Sequence, residues 1–224
     1  MGFSDEPTGA TLNPANKHLF FSDDAGARRV YELNPGPDGL YGTGDDIVTS
    51  INGRDFGCTD PEGVTYASTS GNLFIACGLE NQIFQVTPGA NGLFDGVPPD
   101  GDDVATSFDT VRLGLNNPEG IAYNPDTNYL YAVGKPVTTL FEITTDGYAV
   151  QMIDISAATA KNPSGLAYGP SSQNPGKKNI YIAARGVDSG QVPGQNDGKV
   201  YEMTLPASPS SITFYAYTPM ISGK

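Results

Sequence analysis

The chain has 224 residues, is 38% hydrophobic and 10% aromatic, and carries 28 glycines, 18 prolines and a formal net charge of −13. That apolar content excludes a disordered chain, the Gly/Pro load suits short strands joined by turns, and no stretch reaches the ~20 apolar residues of a bilayer span. The acidity excludes nucleic acid and membrane insertion as natural modes; it either keeps the chain soluble or attracts cations, calcium foremost outside cells.

The start, Met1-Gly2-Phe3-Ser4, lacks signal-peptide character and reads as an initiator residue on a mature or excised segment, and both ends are those expected of a fragment. The first repeat follows: Pro7-Thr8-Gly9-Ala10-Thr11-Leu12, a turn at 13–16, His18-Leu19-Phe20-Phe21, Arg29-Val30-Tyr31-Glu32-Leu33 and a run at 47–51. Its period-two alternation predicts four strands. His18 is the chain's one histidine, so a zinc site of the ordinary kind is excluded and any Ser-His-Asp triad depends on it. Between the third and fourth runs lies an insertion, residues 35–46, containing Asp38-Gly39-Leu40-Tyr41 and ending Gly44-Asp45-Asp46.

The second repeat is Pro61-Glu62-Gly63-Val64-Thr65-Tyr66, Leu73-Phe74-Ile75-Ala76, Gln82-Ile83-Phe84-Gln85-Val86 and a run at 104–108. Cys58 precedes its first strand and Cys77 ends its second; the hairpin between them brings the two thiols near enough for a disulfide, with reduced core thiols as the alternative. Its insertion, residues 88–103, repeats the theme with Asn91-Gly92-Leu93-Phe94-Asp95 and Gly101-Asp102-Asp103. Carboxylates and carbonyls on a glycine-kinked loop are what a hard cation needs. The candidate calcium ligands are Asp38, Asp45, Asp46, Asn91, Asp95, Asp102 and Asp103; the alternative is that these residues make tight turns and stay solvated.

The third repeat, Pro118-Glu119-Gly120-Ile121-Ala122-Tyr123, Tyr129-Leu130-Tyr131-Ala132-Val133, Thr139-Leu140-Phe141-Glu142-Ile143 and 149–153, replaces the insertion by a two-residue turn at Asp146-Gly147. The fourth comprises Pro163-Ser164-Gly165-Leu166-Ala167-Tyr168, Asn179-Ile180-Tyr181-Ile182-Ala183, Lys199-Val200-Tyr201-Glu202-Met203 and a run at 211–215. Its long loop, 185–198, is expected to be functional or mobile, with an Arg185–Asp188 pair.

Four such copies predict an all-β fold, a β-propeller of four-stranded antiparallel blades at about 3–57, 58–115, 116–161 and 162–217. The ring either closes on four blades, shares a blade between the Phe3 region and the last strand, or is an arc of a larger ring that invites self-association. Each Pro-x-Gly enters an innermost strand, so Thr8, Glu62, Glu119 and Ser164, preceded by Glu6, Asp60, Asn117 and Asn162, are expected to gather at one channel mouth. They either hold a metal or polar ligand or cap the turns.

The segments 120–133 and 140–147, and again 164–168 through 199–202, resemble blades of SMP-30/NHL and of SdiA-regulated or phytase-like esterase propellers. SMP-30-type lactonases hold an axial divalent metal on a Glu, Asn residues and an Asp; the resemblance carries Glu62, Glu119, Asn117 and Asn162 to that set, and the Asp has no recognisable counterpart. The Gly-Thr-Gly-Asp-Asp insertions resemble calcium-rich loops of large bacterial secreted and surface proteins. The expected function is a secreted or cell-surface, bacterial-type, non-catalytic binding or scaffold propeller, calcium-stabilised, taking a small molecule, a glycan or a protein. The alternative is a metal-dependent hydrolase of lactonase or phosphoesterase type, with Glu62 and Glu119 at an axial metal.

Overall fold

The computed structural model describes residues 4, 6–186 and 198–206. The first sheet contains β1 (Pro7–Leu12), β2 (Leu19–Asp23), β3 (Arg29–Asn34) and β4 (Ile47–Asn52). The second contains β5 (Pro61–Ala67), β6 (Asn72–Cys77), β7 (Gln82–Thr87) and β8 (Val104–Asp109). The third contains β9 (Asn116–Asn124), β10 (Tyr129–Lys135), β11 (Thr139–Thr144) and β12 (Ala149–Asp154), and the fourth β13 (Pro163–Pro170), β14 (Lys178–Ala184) and β15 (Lys199–Met203). Within every sheet the strands are antiparallel and lie in chain order. The run at 211–215, expected as the last strand, the Phe3 region and most of the 185–198 loop lie outside the described residues.

The innermost strands stack in sequence, β1 on β5, β5 on β9 and β9 on β13, with no comparable contact between β1 and β13. Three apolar clusters fill the spaces between consecutive sheets. Phe20, Val30 and Ile51 meet Val64, Leu73 and Phe84; Phe74 and Ile83 meet Ile121, Leu130 and Phe141; Tyr131, Val133 and Leu140 meet Ile180 and Ile182. A sheet covered on both faces needs apolar side chains on both, which is why β6 after Asn72 reads Leu73-Phe74-Ile75-Ala76-Cys77 without a polar break, every one of these residues buried. Four antiparallel sheets stacked through their innermost strands make the chain a β-propeller of four blades.

Blade contact also uses hydrogen bonds. Tyr66 N–H donates to Thr11 Oγ1 at 3.1 Å and Tyr123 N–H to Thr65 Oγ1 at 3.0 Å, each from one innermost strand to the one before it. The Pro-x-Gly glycine permits this approach: a Cβ on Gly63 would lie 2.6 Å from Glu119 O and 2.9 Å from Ile121 N. The ladder is irregular at the same place in blades one, two and four, between Pro7 and Gly9, Pro61 and Val64, and Pro163 and Gly165. Proline opens each of these strands, where its missing N–H costs no ladder bond.

Two features depart from the sequence-based expectation. Thr144 N–H bonds Tyr148 O at 2.8 Å, so the turn in the third blade has three residues, 145–147, with Gly147 at φ +83° closing it. The crossings to the next blade each hold a single 3-10 turn, Gly53–Phe56, Val111–Leu113 and Ser156–Ala158, which strand periodicity could not reveal.

Candidate functional site

At the entry end of the innermost strands the Pro-x-Gly irregularity brings carboxylates together. Oxygens of Asp24, which follows β2, and of Asp60 and Glu62, at the start of β5, lie within 4.8 Å of one another. Asp24 Oδ1 is buried without a partner, while Asp60 Oδ2 accepts Leu79 N–H at 3.2 Å. Burial pushes the Glu62 carboxyl up to about 8, and the charges of Glu119, Asp24 and Asp60 add to this against Arg185. Asp24 is also raised, first by burial and then by Glu6, Asp60 and Asp23. The rim is therefore a concentration of negative charge that holds a proton near neutral pH.

The other expected rim residues divide. Glu119 does not join the three-carboxylate group; Asn117 Nδ2 donates to its Oε1 and Arg185 Nη2 to its Oε2 at 3.3 Å. Arg185 thus pairs with Glu119, whereas Asp188, its expected partner, lies outside the described residues. Thr8 Oγ1 donates across the blade boundary to Glu62 O at 2.9 Å, and Asn162 Nδ2 to Gly186 O at 2.9 Å, so both serve the backbone. Asn117 and Asn162 have φ of 46° and 52°, the left-handed turn conformation that asparagine tolerates.

The two acidic insertions leave from the opposite end of the blades. In the first, the aspartates bond locally: Asp38 accepts Leu40 N–H at 2.8 Å, Asp46 Oδ2 accepts Gly42 N–H at 2.7 Å while its Oδ1 is buried without a partner, and Asp45 accepts Thr43 Oγ1 at 2.7 Å. That hydroxyl is the main reason the Asp45 carboxyl lies below its ordinary range. Asp38, Asp45 and Asp46 form turns and make no three-carboxylate group among the described residues. The second insertion differs, because Asp95, Asp102 and Asp103 converge with oxygens within 4.8 Å of one another. Asp103 is 1% exposed and accepts Gly96 N–H at 2.9 Å and Gly89 N–H at 3.1 Å, yet burial still raises its carboxyl. Asp95 Oδ1 is buried without a partner, Asp95 Oδ2 accepts Asn91 Nδ2 at 2.8 Å, and Asp102 accepts Ala90 N–H at 2.8 Å.

This insertion is clamped to the neighbouring blade. Phe94 packs edge-on against Phe20 with centroids 5.3 Å apart, and its N–H donates to buried Glu32 at 3.0 Å. Glu32 Oε1 lies 2.5 Å from His18 Nδ1, so the single histidine serves a packing contact far from the carboxylate rim. The equivalent strand position in the third blade, Glu142, accepts Tyr131 Oη at 2.7 Å, and in the fourth, Glu202 accepts Ser172 N–H at 2.9 Å. The sequence shows the acid in this repeated position but not the donors, which differ from blade to blade: a loop amide for Glu32, strand residues Tyr131 and Gln151 for Glu142, and Ser172 with strand residue Asn179 for Glu202. Cys58 and Cys77 are joined in a disulfide inside the first interblade cluster, with Cα atoms 5.7 Å apart, which fits an oxidising compartment. None of the helical segments among the described residues is long and apolar enough to cross a membrane.

At the exit end of the four innermost strands lies a cavity of about 370 Å³, lined by Thr11, Leu12, Tyr66, Tyr123, Leu166 and Tyr168 among others. Tyr168 Oη donates to Asp126 at 2.9 Å; burial, then that carboxylate, pushes the phenol up to about 12. The tyrosines recur at one position of the second, third and fourth repeats, where the first has Leu12, and their alternation shows them only as strand residues.

No protein-family model matches the sequence, and no curated protein matches it. Solved structures do match. A streptogramin B lyase superposes with a TM-score of 0.50 at 20% identity, over 89% of this chain and 55% of that one. A chain of a nidogen/laminin complex gives 0.51 at 16% identity, over 80% and 72%. A luciferin-regenerating enzyme, an SMP-30-like propeller, gives 0.55 at 11% identity, over 86% and 59%. The chain spans little more than half the length of the lyase, and identities this low show the β-propeller fold alone.

Proposed function

We propose that this chain is a secreted or cell-surface binding propeller that takes up calcium on its second acidic insertion. The reading rests on the convergence of Asp95, Asp102 and Asp103 on a loop already fixed to the neighbouring blade. Three carboxylates at that separation repel one another, and a hard cation with oxygen ligands relieves the repulsion while leaving the backbone bonds in place. Bound there, the ion ties the insertion of blade two to the flank of blade one and stiffens the surface presented to a ligand. Calcium sites of extracellular modules have dissociation constants of about 0.1–1 mM, so about 10 mM calcium stabilises the fold by about 1.4–2.7 kcal/mol. Thermal unfolding in calcium, in magnesium and in EGTA tests this. A rise in melting temperature with calcium that Asp102→Asn abolishes supports the reading; an unchanged melting temperature overturns it.

A second reading places a metal-dependent hydrolase of lactonase or phosphoesterase type at the entry rim. It is favoured by one observation: oxygens of Asp24, Asp60 and Glu62 converge within 4.8 Å of one another, and Asp24 Oδ1 is buried without a partner. Asp24, Asp60 and Glu62 would hold the ion, which would polarise a carbonyl or phosphoryl oxygen. Turnover of lactones or phosphomonoesters that Glu62→Gln removes, with the fold intact, selects this reading over the first.

A further inference from the structure

Each blade presents one flank to the blade that follows. In the third blade that flank carries Gly120, Ala122, Tyr131, Val133, Leu140 and Glu142, with Ala122 opposite Tyr131 and Tyr131 opposite Glu142. The fourth blade seals it: Val133 and Leu140 are 0% exposed, and Tyr131 is 2% exposed. The fourth blade repeats the pattern position for position with Gly165, Ala167, Tyr181, Ala183, Val200 and Glu202, Gly165 lying opposite Ala183 and Ala183 opposite Val200. There Val200 is 69% exposed and Ala167 and Ala183 are exposed as well.

The glycines make the same point independently. A Cβ on Gly9, Gly63 or Gly120 would fall 2.8 Å from Val64 N, 2.6 Å from Glu119 O and 3.0 Å from Ser164 O respectively, in each case backbone of the next blade. A Cβ on Gly165 meets, among the described residues, only Ala183 Cβ of its own sheet at 3.2 Å. The fourth blade thus carries the opening for a successor's backbone, and among the described residues none fills it. The first blade carries the complement. Its Ala10 and Leu12 stand where Val64 and Tyr66, and Ile121 and Tyr123, dock onto a preceding blade, yet Leu12 is 41% exposed.

We infer that the flank of the fourth blade receives the first blade of a second copy of this chain, two four-blade arcs joining head to tail into one ring. Surface and complement lie at opposite ends of one chain, which is the heterologous arrangement that closes when the rotation permits. Two arcs give eight blades, within the range of closed propellers. With a formal charge of −13 on each chain, association strengthens as salt screens the repulsion.

The experiment is light scattering on the full chain across a concentration series at low and moderate salt. The expected particle has twice the 23.5 kDa chain mass. Gly165→Val is expected to leave far-UV circular dichroism unchanged while weakening association at least about 100-fold, because in the single chain its side chain displaces only the exposed Ala183 Cβ, 3.2 Å away, whereas in the pair it meets the successor's backbone. Leu12→Glu is expected to do the same from the other edge. The decisive sample mixes the two variants: each retains the edge the other lacks, so the mixture forms pairs although neither variant alone does. A chain that stays at 23.5 kDa throughout overturns the inference, the flank then being covered by the chain's own residues or by a blade from a longer polypeptide. So does a Gly165→Val chain that still pairs, a mixture that does not, or an open ladder of higher oligomers.

Discussion

Glu32 and Phe94 lie 62 residues apart in the chain, yet the carboxylate of one accepts the backbone N–H of the other at 3.0 Å in the buried space between the first two blades. The bond makes an insertion of the second blade part of the first. Truncating Glu32 leaves the buried Phe94 N–H and the half-buried His18 without their acceptor. Glu32→Ala is expected to cost about 2–4 kcal/mol and Glu32→Gln less, read from urea unfolding midpoints at constant slope.

The Cys58–Cys77 bridge closes a loop of 19 residues inside the first interblade cluster. In the chain-entropy account such a loop restrains the unfolded state by about 3 kcal/mol. Cys58→Ser with Cys77→Ser is expected to lower stability by about that amount, and reductant should have no effect on the double variant. Alkylation of the unfolded wild-type chain before and after reduction should differ by two thiols.

Gly63 faces the backbone of the third blade, where a methyl group would lie 2.6 Å from a carbonyl oxygen. Gly63→Ala is expected to destabilise by about 1–3 kcal/mol through forced blade separation. Gly169, which has nothing within 4 Å of the added Cβ, is the control. Gly169→Ala should change the unfolding free energy by less than about 0.5 kcal/mol.

Glu62 gives the fold a pH dependence of definite sign. Its folded-state value of about 8 exceeds the unfolded 4.5, so the folded chain holds the proton more tightly. Its contribution is complete below pH 4.5 and is lost as pH rises through about 8. The slope it adds is at most about 1.4 kcal/mol per pH unit, reduced by solvent at the partly open rim. Unfolding free energies between pH 5 and 8, measured with chelator present, should fall with pH in the wild type and flatten in Glu62→Gln.

The blades were legible because a strand covered on both faces must be apolar throughout, and runs such as Leu73 to Cys77 recur at one place in each copy. The Pro-x-Gly step was legible for the same reason, since a glycine is repeated where two backbones meet. The acidic loops were not separable by sequence. Asp45-Asp46 and Asp102-Asp103 look alike, but in the first loop backbone amides and the Thr43 hydroxyl bond the aspartates one by one, and no three carboxylates converge. In the second, a longer loop folds Asp95 back onto the pair. The tyrosine-lined cavity and the Glu119–Arg185 pair depend on which blade lies next to which, and no local pattern encodes that.

The acid shared by the third strands of blades one, three and four has a wider meaning. Glu32, Glu142 and Glu202 stand at one register, and each is engaged by whatever lies above it: an amide from a neighbour's loop, a phenol, or a serine of its own turn. In blades one and four a connecting segment supplies the donor, whereas in blade three the strands themselves do, so a connection can lengthen, shorten or change composition as long as loop or strand still brings one donor to that oxygen. Diversity at this end of the molecule is plug-compatible, with the carboxylate as the socket.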